Sequence, residues 1–439
     1  MASVVLRNGL VVHPDGAEIA DVLIVDGRIA AVGRDVGVDP PSGSRTIDAT
    51  GCWVGPGFVD LHTHLREPGD EAAETIASGA RAAAVGGFTA VLAMPNTEPA
   101  LDNVALVTYV LDQGSRAVVD VAVAGAITMS RAGERLAPLA ELAALGVRLF
   151  TDDGVGVQNA AVMRRALRYA RPLGVRLAQH CEDAALAADG SMNEGALSSR
   201  LGLVGRPSIA EEVMVARDLA LVRSTGAPLH FLHVSTARSL DLIVRARAEG
   251  LPVSCEVAPH HFTLDESACA TYDANFKVNP PLRSVDDVEA VRRALRGGDV
   301  DAVATDHAPH APQRKDLPFD EAPAGVLGLE HAASLTYEAL GAVGSDPQRF
   351  FAVLSRNPAT IAQLRQRDAR PRHGAHGGAV EVGDDGNLVV FDPSERWVAR
   401  REGLQSRATN SPYLGRPLVG RVRCTVVNGA VVLDEGELT

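Results

Sequence analysis

The period of the hydrophobic positions changes twice along the chain. Residues 1–55 hold short apolar runs at 4–6, 10–12, 21–25 and 28–32, with Asn8-Gly9 and Asp26-Gly27 between them. Those dipeptides tolerate the positive φ of tight hairpin turns, so the segment predicts short strands joined by such turns. Asn428-Gly429 sits in the same way between apolar runs at 424–427 and 430–433, and 387–391 adds another strand. Neither end alone has much core. The two ends predict one small β-sandwich domain, residues 1–55 joined to 366–439, with two separate caps as the alternative.

Between the ends, from 56 to 365, strand-like runs alternate with Ala-, Leu- and Arg-rich stretches of helical spacing. The runs are 58–62, 89–94, 118–124, 147–150, 175–179, 229–233, 253–257 and 302–305; the helical stretches include 71–85, 159–170 and 209–224. About eight β-then-α units in series predict a (β/α)8 barrel of the TIM type. An open doubly wound sheet is the runner-up, and periodicity does not separate the two. The polar residues help to. Nearly every predicted strand ends in chemically capable groups: His62, His64 and Arg66; Asn96; Asp152 and Asp153; His180 and Glu182; His233; His260 and His261; Asp306, His307 and His310. In a barrel all these ends face one mouth.

Composition narrows the class. The chain has 439 residues, 46% hydrophobic and 22% charged, enough for one large domain and a smaller one. A net charge of −13 argues against nucleic acid as a partner. No apolar run reaches membrane length; 118–128 comes nearest, and Asp120 interrupts it. The start lacks a basic region followed by an apolar one, so no signal peptide is expected. Five scattered cysteines without a CxxC pair fit a reducing, cytoplasmic location rather than a disulfide framework. Of 42 basic residues, only Lys277 and Lys315 are lysine.

His62-Thr63-His64 ends the first barrel strand. Residues i and i+2 of a strand share a face, so the two imidazoles can converge on one point, as Zn, Fe or Ni requires. Arg66 then offers a planar fork for a carboxylate beside that metal. His180 and His233 each end a separate strand and can form a second pair. Asp306 can ligate and act as a base, and Asp152 or Asp153 can bridge two metals. Four histidines and two aspartates are the ligand set of a binuclear hydrolytic centre. The remaining histidines are read as structural or supporting. His13, His331, His373 and His376 lie away from the strand ends, and His260, His261 and His307 lie near them. His230 has the opposite parity to His233, so it should face the helix layer. Cys181 is not needed as a ligand where histidine and carboxylate suffice.

These residues carry a resemblance to the class I bacterial dihydroorotases of the amidohydrolase superfamily. The matching motifs are GFVDLHTHLREPG at 57–69, MPNT at 94–97, FTDDG at 150–154, HCED at 180–183, NEG at 193–195, HVS at 233–235, CEVAPHH at 255–261, KVNPPLR at 277–283 and ATDHAPH at 304–310. They span almost the whole chain in the family's order. The resemblance implies that His62, His64 and Asp306 hold one metal, that His180 and His233 hold the other, and that Asp153 rather than Asp152 bridges them. Related hydrolases often bridge with a carbamylated lysine; residues 146–150 contain none, and Arg148 carries no carbamate. Two Zn2+ per chain are implied.

The resemblance also implies substrate contacts from His64, Arg66, Asn96, Asn279 and His310, and from the backbone of Ala324 and Gly325. The Pro-rich loop 310–325 should be mobile and close over the substrate. The implied reaction is reversible hydrolysis of the cyclic amide L-dihydroorotate to N-carbamoyl-L-aspartate, a step of pyrimidine biosynthesis, by metal-activated water with Asp306 as general base and then acid. A homodimer and a complex with aspartate transcarbamoylase are implied as partners. The alternatives are an allantoinase or hydantoinase, which would not need Arg66, and an inactive transcarbamoylase scaffold, which would have lost ligands that are all present here. Two departures stand out. Ala324 replaces a bulkier residue, often phenylalanine, and 368–386 is longer than usual and reads as a surface loop.

Overall fold

The computed structural model describes residues 3–36, 38–342, 344, 346–366 and 374–439. The N-terminal segment forms β1 (Ser3–His13), β2 (Gly16–Val25), β3 (Arg28–Gly33), β4 (Arg45–Asp48) and β5 (Trp53–Pro56). The middle forms β6 (Phe58–Thr63), β7 (Phe88–Ala93), β8 (Asp120–Gly125), β9 (Leu149–Phe150) and β10 (Arg176–Gln179). A small pair, β11 (Met192–Asn193) and β12 (Gly205–Arg206), precedes β13 (Leu229–Phe231), β14 (Val253–Val257) and β15 (Ala302–Val303). The last segment forms β16 (Leu388–Val398), β17 (Pro417–Val427), β18 (Ala430–Asp434) and β19 (Glu437–Leu438).

Eight of these strands, β6–β7–β8–β9–β10–β13–β14–β15, pair in sequence order, all parallel. Thr63 bridges His307 just past β15, so the first and last strands meet and the barrel nearly closes. An open doubly wound sheet is thereby excluded. Inside the barrel, Leu61, Leu92, Ala122, Ala124, Ala178 and Ala304 pack with Ile361 and Ala362, which plug its floor. On the outside, Val91, Val121 and Leu177 pack against helix residues such as Ala83, Val107 and Met163.

The remaining large sheet takes strands from both chain ends. β5 pairs antiparallel with β16, Trp53 opposite Phe391 and Pro56 opposite Leu388, so there are no separate caps. Asp26-Gly27 and Asn428-Gly429 turn hairpins as expected. Asn8-Gly9 does not. β1 runs through it, and the register jumps between Leu6 and Gly9. Asn8 has φ 59°, and its N–H donates to Asp21 Oδ1 at 2.9 Å. The positive φ that would serve a hairpin here serves a β-bulge. Gly9 is required because a Cβ there would lie 2.4 Å from Val54 Cγ2.

Aromatic residues are only 4% of the chain, and they concentrate where this sheet meets the barrel. Phe350 packs edge-on to Trp53 (5.6 Å between ring centres) and Phe58 (5.5 Å), and lies 4.8 Å from Phe391. Such pairs add about 0.5–1.5 kcal/mol each beyond area burial. The stretch expected as a surface loop behaves otherwise where it is described. Residues 367–373, and with them His373, lie outside the described residues. From 374 onward the chain is tucked in. His376 is buried, with Nδ1 3.0 Å from Thr89 Oγ1 and Nε2 2.9 Å from Asp120 Oδ2. Val380 joins the core of the terminal sheet. The glycines that made this stretch look like a loop permit close packing instead; a Cβ on Gly386 would meet Ile24 at 2.8 Å. Among the described residues no helix is long and apolar enough to cross a membrane, and all five cysteines are free and buried.

Gly57 joins the two sheets, and a Cβ there would lie 2.1 Å from Thr89 Cγ2. Gly57→Ala should therefore cost about 1–3 kcal/mol through overpacking, seen as a lower urea midpoint with unchanged slope. A wild-type midpoint would contradict this packing.

Candidate active site

Asp60 fixes the ligand-bearing end of β6 against the end of the barrel's last strand. Its Oδ1 accepts the N–H groups of His62 (3.2 Å) and Thr305 (2.9 Å), and its Oδ2 accepts the hydroxyls of Thr63 (2.7 Å) and Thr305 (2.5 Å). This seam brings His62 and His64 beside Asp306. Asp306 Oδ1 lies 3.1 Å from His64 Nε2 and 3.6 Å from His62 Nε2. Asp153 reaches both imidazole pairs. Its Oδ1 is 3.3 Å from His62 Nε2, 3.6 Å from His180 Nδ1 and 3.8 Å from His233 Nε2, and its Oδ2 is 3.6 Å from His64 Nε2. Two triads, His62–His64–Asp153 and Asp153–His180–His233, are each tight enough to hold a metal ion. Asp152 points elsewhere. Its carboxylate accepts from Ile127 N, Thr128 N and the Thr128 hydroxyl.

His233 and Asp306 lie beyond the ends of β13 and β15, at φ 31° and 47°. Backbone in that region costs roughly 1–3 kcal/mol per residue and is kept where surrounding structure enforces it. Strand parity does not extend through such a turn, which corrects the expectation for His230. It faces inward, not toward the helix layer, with Nδ1 2.8 Å from Ser254 Oγ and Nε2 3.0 Å from Glu256 Oε2. Cys181 donates to the Gln179 carbonyl, and burial pushes its thiol well up. Arg148 donates to Ala143 and Val147 carbonyls. His307 closes the barrel and meets Glu74 at 3.3 Å. His261 Nε2 donates to the Pro280 carbonyl at 2.9 Å. His260 is different: its unpartnered Nε2 lies 4.0 Å from Asp306 Oδ2.

Three acceptors set the imidazole tautomers. Glu256 Oε1 is 2.9 Å from His62 Nδ1, Asn96 Oδ1 is 2.8 Å from His64 Nδ1, and Glu182 Oε2 is 2.9 Å from His180 Nε2. Each takes one ring N–H outward, so the other nitrogen is the one that would meet a cation. Burial pushes the His62 and His180 imidazoles down, but Asp153 outweighs it and raises both above their ordinary range. Burial pushes the Glu256 carboxyl up, but hydrogen bonds from His230 and His62 prevail and hold it at about 2. Glu182 is likewise held at about 2 against burial, by His180 and Arg206, whose Nη1 is 2.8 Å away. Burial opposes the charge on Asp153 and Asp306 too. The neighbouring histidines outweigh it, so both stay ionised. Glu256 and Arg206 were not singled out from the sequence. The available signal is a lone charged residue in a short, buried strand, since a buried carboxylate must find partners.

The cluster suits cations. Four buried carboxylates (Asp153, Asp306, Glu182 and Glu256) surround the imidazoles, while His62 Nε2 and Asp153 Oδ1 face each other without a hydrogen-bond partner. Nitrogen and oxygen donors in this number fit divalent transition ions, zinc among them.

On one side of the cluster lies a cationic wall. Arg66, at φ 59°, donates Nε to the Pro309 carbonyl at 3.1 Å. His310 Nε2 donates to the Ala324 carbonyl at 2.8 Å; burial and the Arg66 charge hold this imidazole down at about 3, hence neutral. Gly325, at φ 136°, is obligatory, because a Cβ would lie 2.8 Å from His310 Nε2. Asn279 Oδ1 is buried and unpartnered. The loop 310–325, expected to be mobile, is strapped down. Lys277 Nζ donates to Asp320 O and Lys315 Nζ to Pro323 O, both at 2.9 Å, while Gly325 N–H donates to Lys277 O at 2.8 Å. Two of the loop's own side chains, Phe319 and Ala322, are buried. On another side, a cavity of about 610 Å³ opens beside His180 and Glu182, walled by Arg131, Gly154 and Arg206.

Known proteins resemble this chain over nearly its whole length. The Dihydro-orotase-like family model matches residues 51–239. A dihydroorotase of Pelotomaculum thermopropionicum is 45% identical over 433 residues, covering 98% of each chain. One of Geobacter sp. is 42% identical over 437 residues, covering 99% of this chain and 100% of its own. Among solved structures, an L-hydantoinase (dihydropyrimidinase) of Arthrobacter aurescens superposes with a TM-score of 0.87 over 100% of this chain and 98% of its own. At 24% identity it speaks for the fold alone. A D-hydantoinase (dihydropyrimidinase) of Thermus sp. gives 0.82 at 27% identity, covering 99% and 96%. The barrel, its two-ended sheet and its mouth of histidine and aspartate define an enzyme of the metal-dependent cyclic amidohydrolase class. Within it, the chain belongs to the dihydroorotase family.

If Glu256 orients His62, Glu256→Gln should leave the fold intact and weaken metal retention about 10–100-fold. Metal analysis after dialysis against graded chelator measures this; wild-type retention would remove Glu256 from the site's support.

Proposed function

We propose that this chain interconverts L-dihydroorotate and N-carbamoyl-L-aspartate at the mouth of the barrel, with two Zn2+ ions per chain. The observation that carries the reading is a two-pocket donor cluster with an arginine fork beside it. In this reading His62, His64 and Asp306 would hold one ion and His180 and His233 the other, with Asp153 shared between the two sets. Bound there, the ions would lower the pKa of water and polarise the amide carbonyl. Asp306, ionised and beside the cluster, takes a proton from the attacking water and returns it to the amide nitrogen as the C–N bond breaks. Ring closure runs the same transfers in reverse.

The ring carboxylate lies on the Arg66 guanidinium, with Asn96 and His310 flanking it. A planar fork binds a carboxylate bidentately. His64, Asn279 and the backbone at Ala324 and Gly325 meet the rest of the ring, and Ala324 leaves one wall of this pocket open. Asn96 has a double part, because its Oδ1 orients His64 while its amide nitrogen remains for substrate. A hydantoinase or allantoinase would use the same donors without needing the fork. An inactive scaffold would not need the donors at all. The reading extends to a cytoplasmic homodimer, to a complex with aspartate transcarbamoylase, and to domains divided at 1–55, 56–365 and 366–439.

Turnover of L-dihydroorotate, hydantoin and allantoin by the zinc-loaded enzyme tests the substrate. Dihydroorotate should be strongly preferred. Arg66→Ala should cost about 1.5–3 kcal/mol of carboxylate binding, a rise in KM of roughly 10–150-fold. Unchanged dihydroorotate turnover in Arg66→Ala would defeat the assignment. Asp306→Asn should lower kcat at least about a hundredfold with native circular dichroism; a variant that keeps most activity would remove Asp306 from proton transfer.

A further inference from the structure

Asn410 comes from the stretch between β16 and β17, far in sequence from every residue assigned above. That stretch runs along the ligand-bearing end of the barrel. Arg407 N–H donates to Glu74 Oε1 at 3.1 Å, and the Tyr413 hydroxyl meets Thr263 Oγ1 at 3.0 Å. Asn410 is 3% exposed, and its side chain has every polar atom committed. Oδ1 accepts the His310 N–H at 3.1 Å, and Nδ2 donates to the carbonyls of Ala308 and Gly325, both at 3.0 Å. Its own carbonyl accepts Leu327 N–H at 3.1 Å.

Those bonds fall on both ends of the strap. Ala308-Pro309-His310 carries His310, and its Pro309 carbonyl is the acceptor that aims Arg66. Gly325 adjoins Ala324, whose carbonyl holds the His310 ring. Three elements of the carboxylate pocket therefore share one fixed point outside the barrel. The chemistry suits an amide, which supplies one acceptor and two donors. Aspartate supplies no donor, and alanine leaves an N–H and two carbonyls without partners in a dry place.

We infer that Asn410 is a positioning residue for the substrate carboxylate: it sets His310 and, through Pro309, the Arg66 fork, without touching substrate. This rests on the reading of Arg66 as the carboxylate fork. It predicts that changes at Asn410 act through the same pocket as changes at Arg66, and leave the metal cluster alone.

The test is binding of orotate, a planar ring bearing the same carboxylate, to zinc-loaded wild type, Asn410→Ala, Arg66→Ala and the double variant by calorimetry, with metal content measured on each. Asn410→Ala should weaken orotate about tenfold or more, since small misplacements of binding groups are costly, and should retain wild-type zinc. It should raise KM for dihydroorotate far more than it lowers kcat. The double variant should lose clearly less than the product of the two single losses, because residues acting through one pocket are not additive. Losses that multiply in the double variant, or wild-type affinity in Asn410→Ala, would overturn the inference. Unchanged affinity in Arg66→Ala would instead overturn the substrate assignment beneath it. Should Asn410→Ala fail to fold, Asn410→Asp, which keeps size and the bond from His310 but loses both donors, serves the same comparison.

Discussion

Four donors, from residues up to 245 positions away in sequence, converge on the carboxylate of Asp60. A buried carboxylate without partners is among the most expensive things a protein can contain, and burial alone drives this one toward its neutral form. The first and last strands of the barrel can satisfy it only by meeting in one register. That register places His62 and His64 against Asp306, and it turns the His64 N–H onto the His307 carbonyl at 2.9 Å. Barrel closure and the meeting of the histidines with Asp306 thus rest on the same contacts. A slip by one residue would break the two bonds from Thr305 and separate the histidines from the aspartate together.

Around that seam the site is built outward in charge-compensated layers. The imidazoles are oriented by Glu256, Glu182 and Asn96, and the two carboxylates are held in turn by His230 and Arg206. Farther out, Arg283, among the largest fully buried side chains, reaches Ser235 Oγ at 3.0 Å and lies 3.8 Å from Glu211. Glu211 accepts from Ser235 and Thr236, two and three residues past His233. Each added charge is affordable in a dry interior because the next layer answers it. Below the site, alanine and leucine side chains such as Leu61, Leu92, Ala122, Ala124 and Ala178 pack the barrel interior.

Much of this was legible in the sequence, and the failures have a common cause. All eight barrel strands lie where alternation of apolar runs placed them, and Asp26-Gly27 and Asn428-Gly429 turn as their chemistry dictates. The histidines and aspartates read as one cluster do lie together. Periodicity names a face only while the strand continues, however. Beyond Phe231 the backbone enters a positive-φ turn, so counting parity from His233 misplaced His230. Asn8-Gly9 permits positive φ, which a bulge uses as readily as a hairpin. Glycines at 374–386 serve close packing as well as exposure. Asn410 and Glu256 matter through partners far along the chain, and no local pattern names a partner. Asp153 was chosen over Asp152 by likeness to a family; the structure shows the physical difference, since the Asp152 carboxylate is already occupied by residues 127 and 128.

Lys277 and Lys315 are the chain's two lysines. Both are buried, and each spends its ammonium on a carbonyl of the strap. Every other cationic side chain that is not histidine is a guanidinium, inert to acylating and reductive-alkylating reagents under ordinary conditions. Side-chain amine chemistry is thereby concentrated at one place. A reagent that modifies lysine in the folded protein must first lift the strap, so the extent of labelling reads out how often residues 310–325 leave the mouth. Crosslinkers and tags that depend on surface lysines will find almost no purchase elsewhere on the molecule.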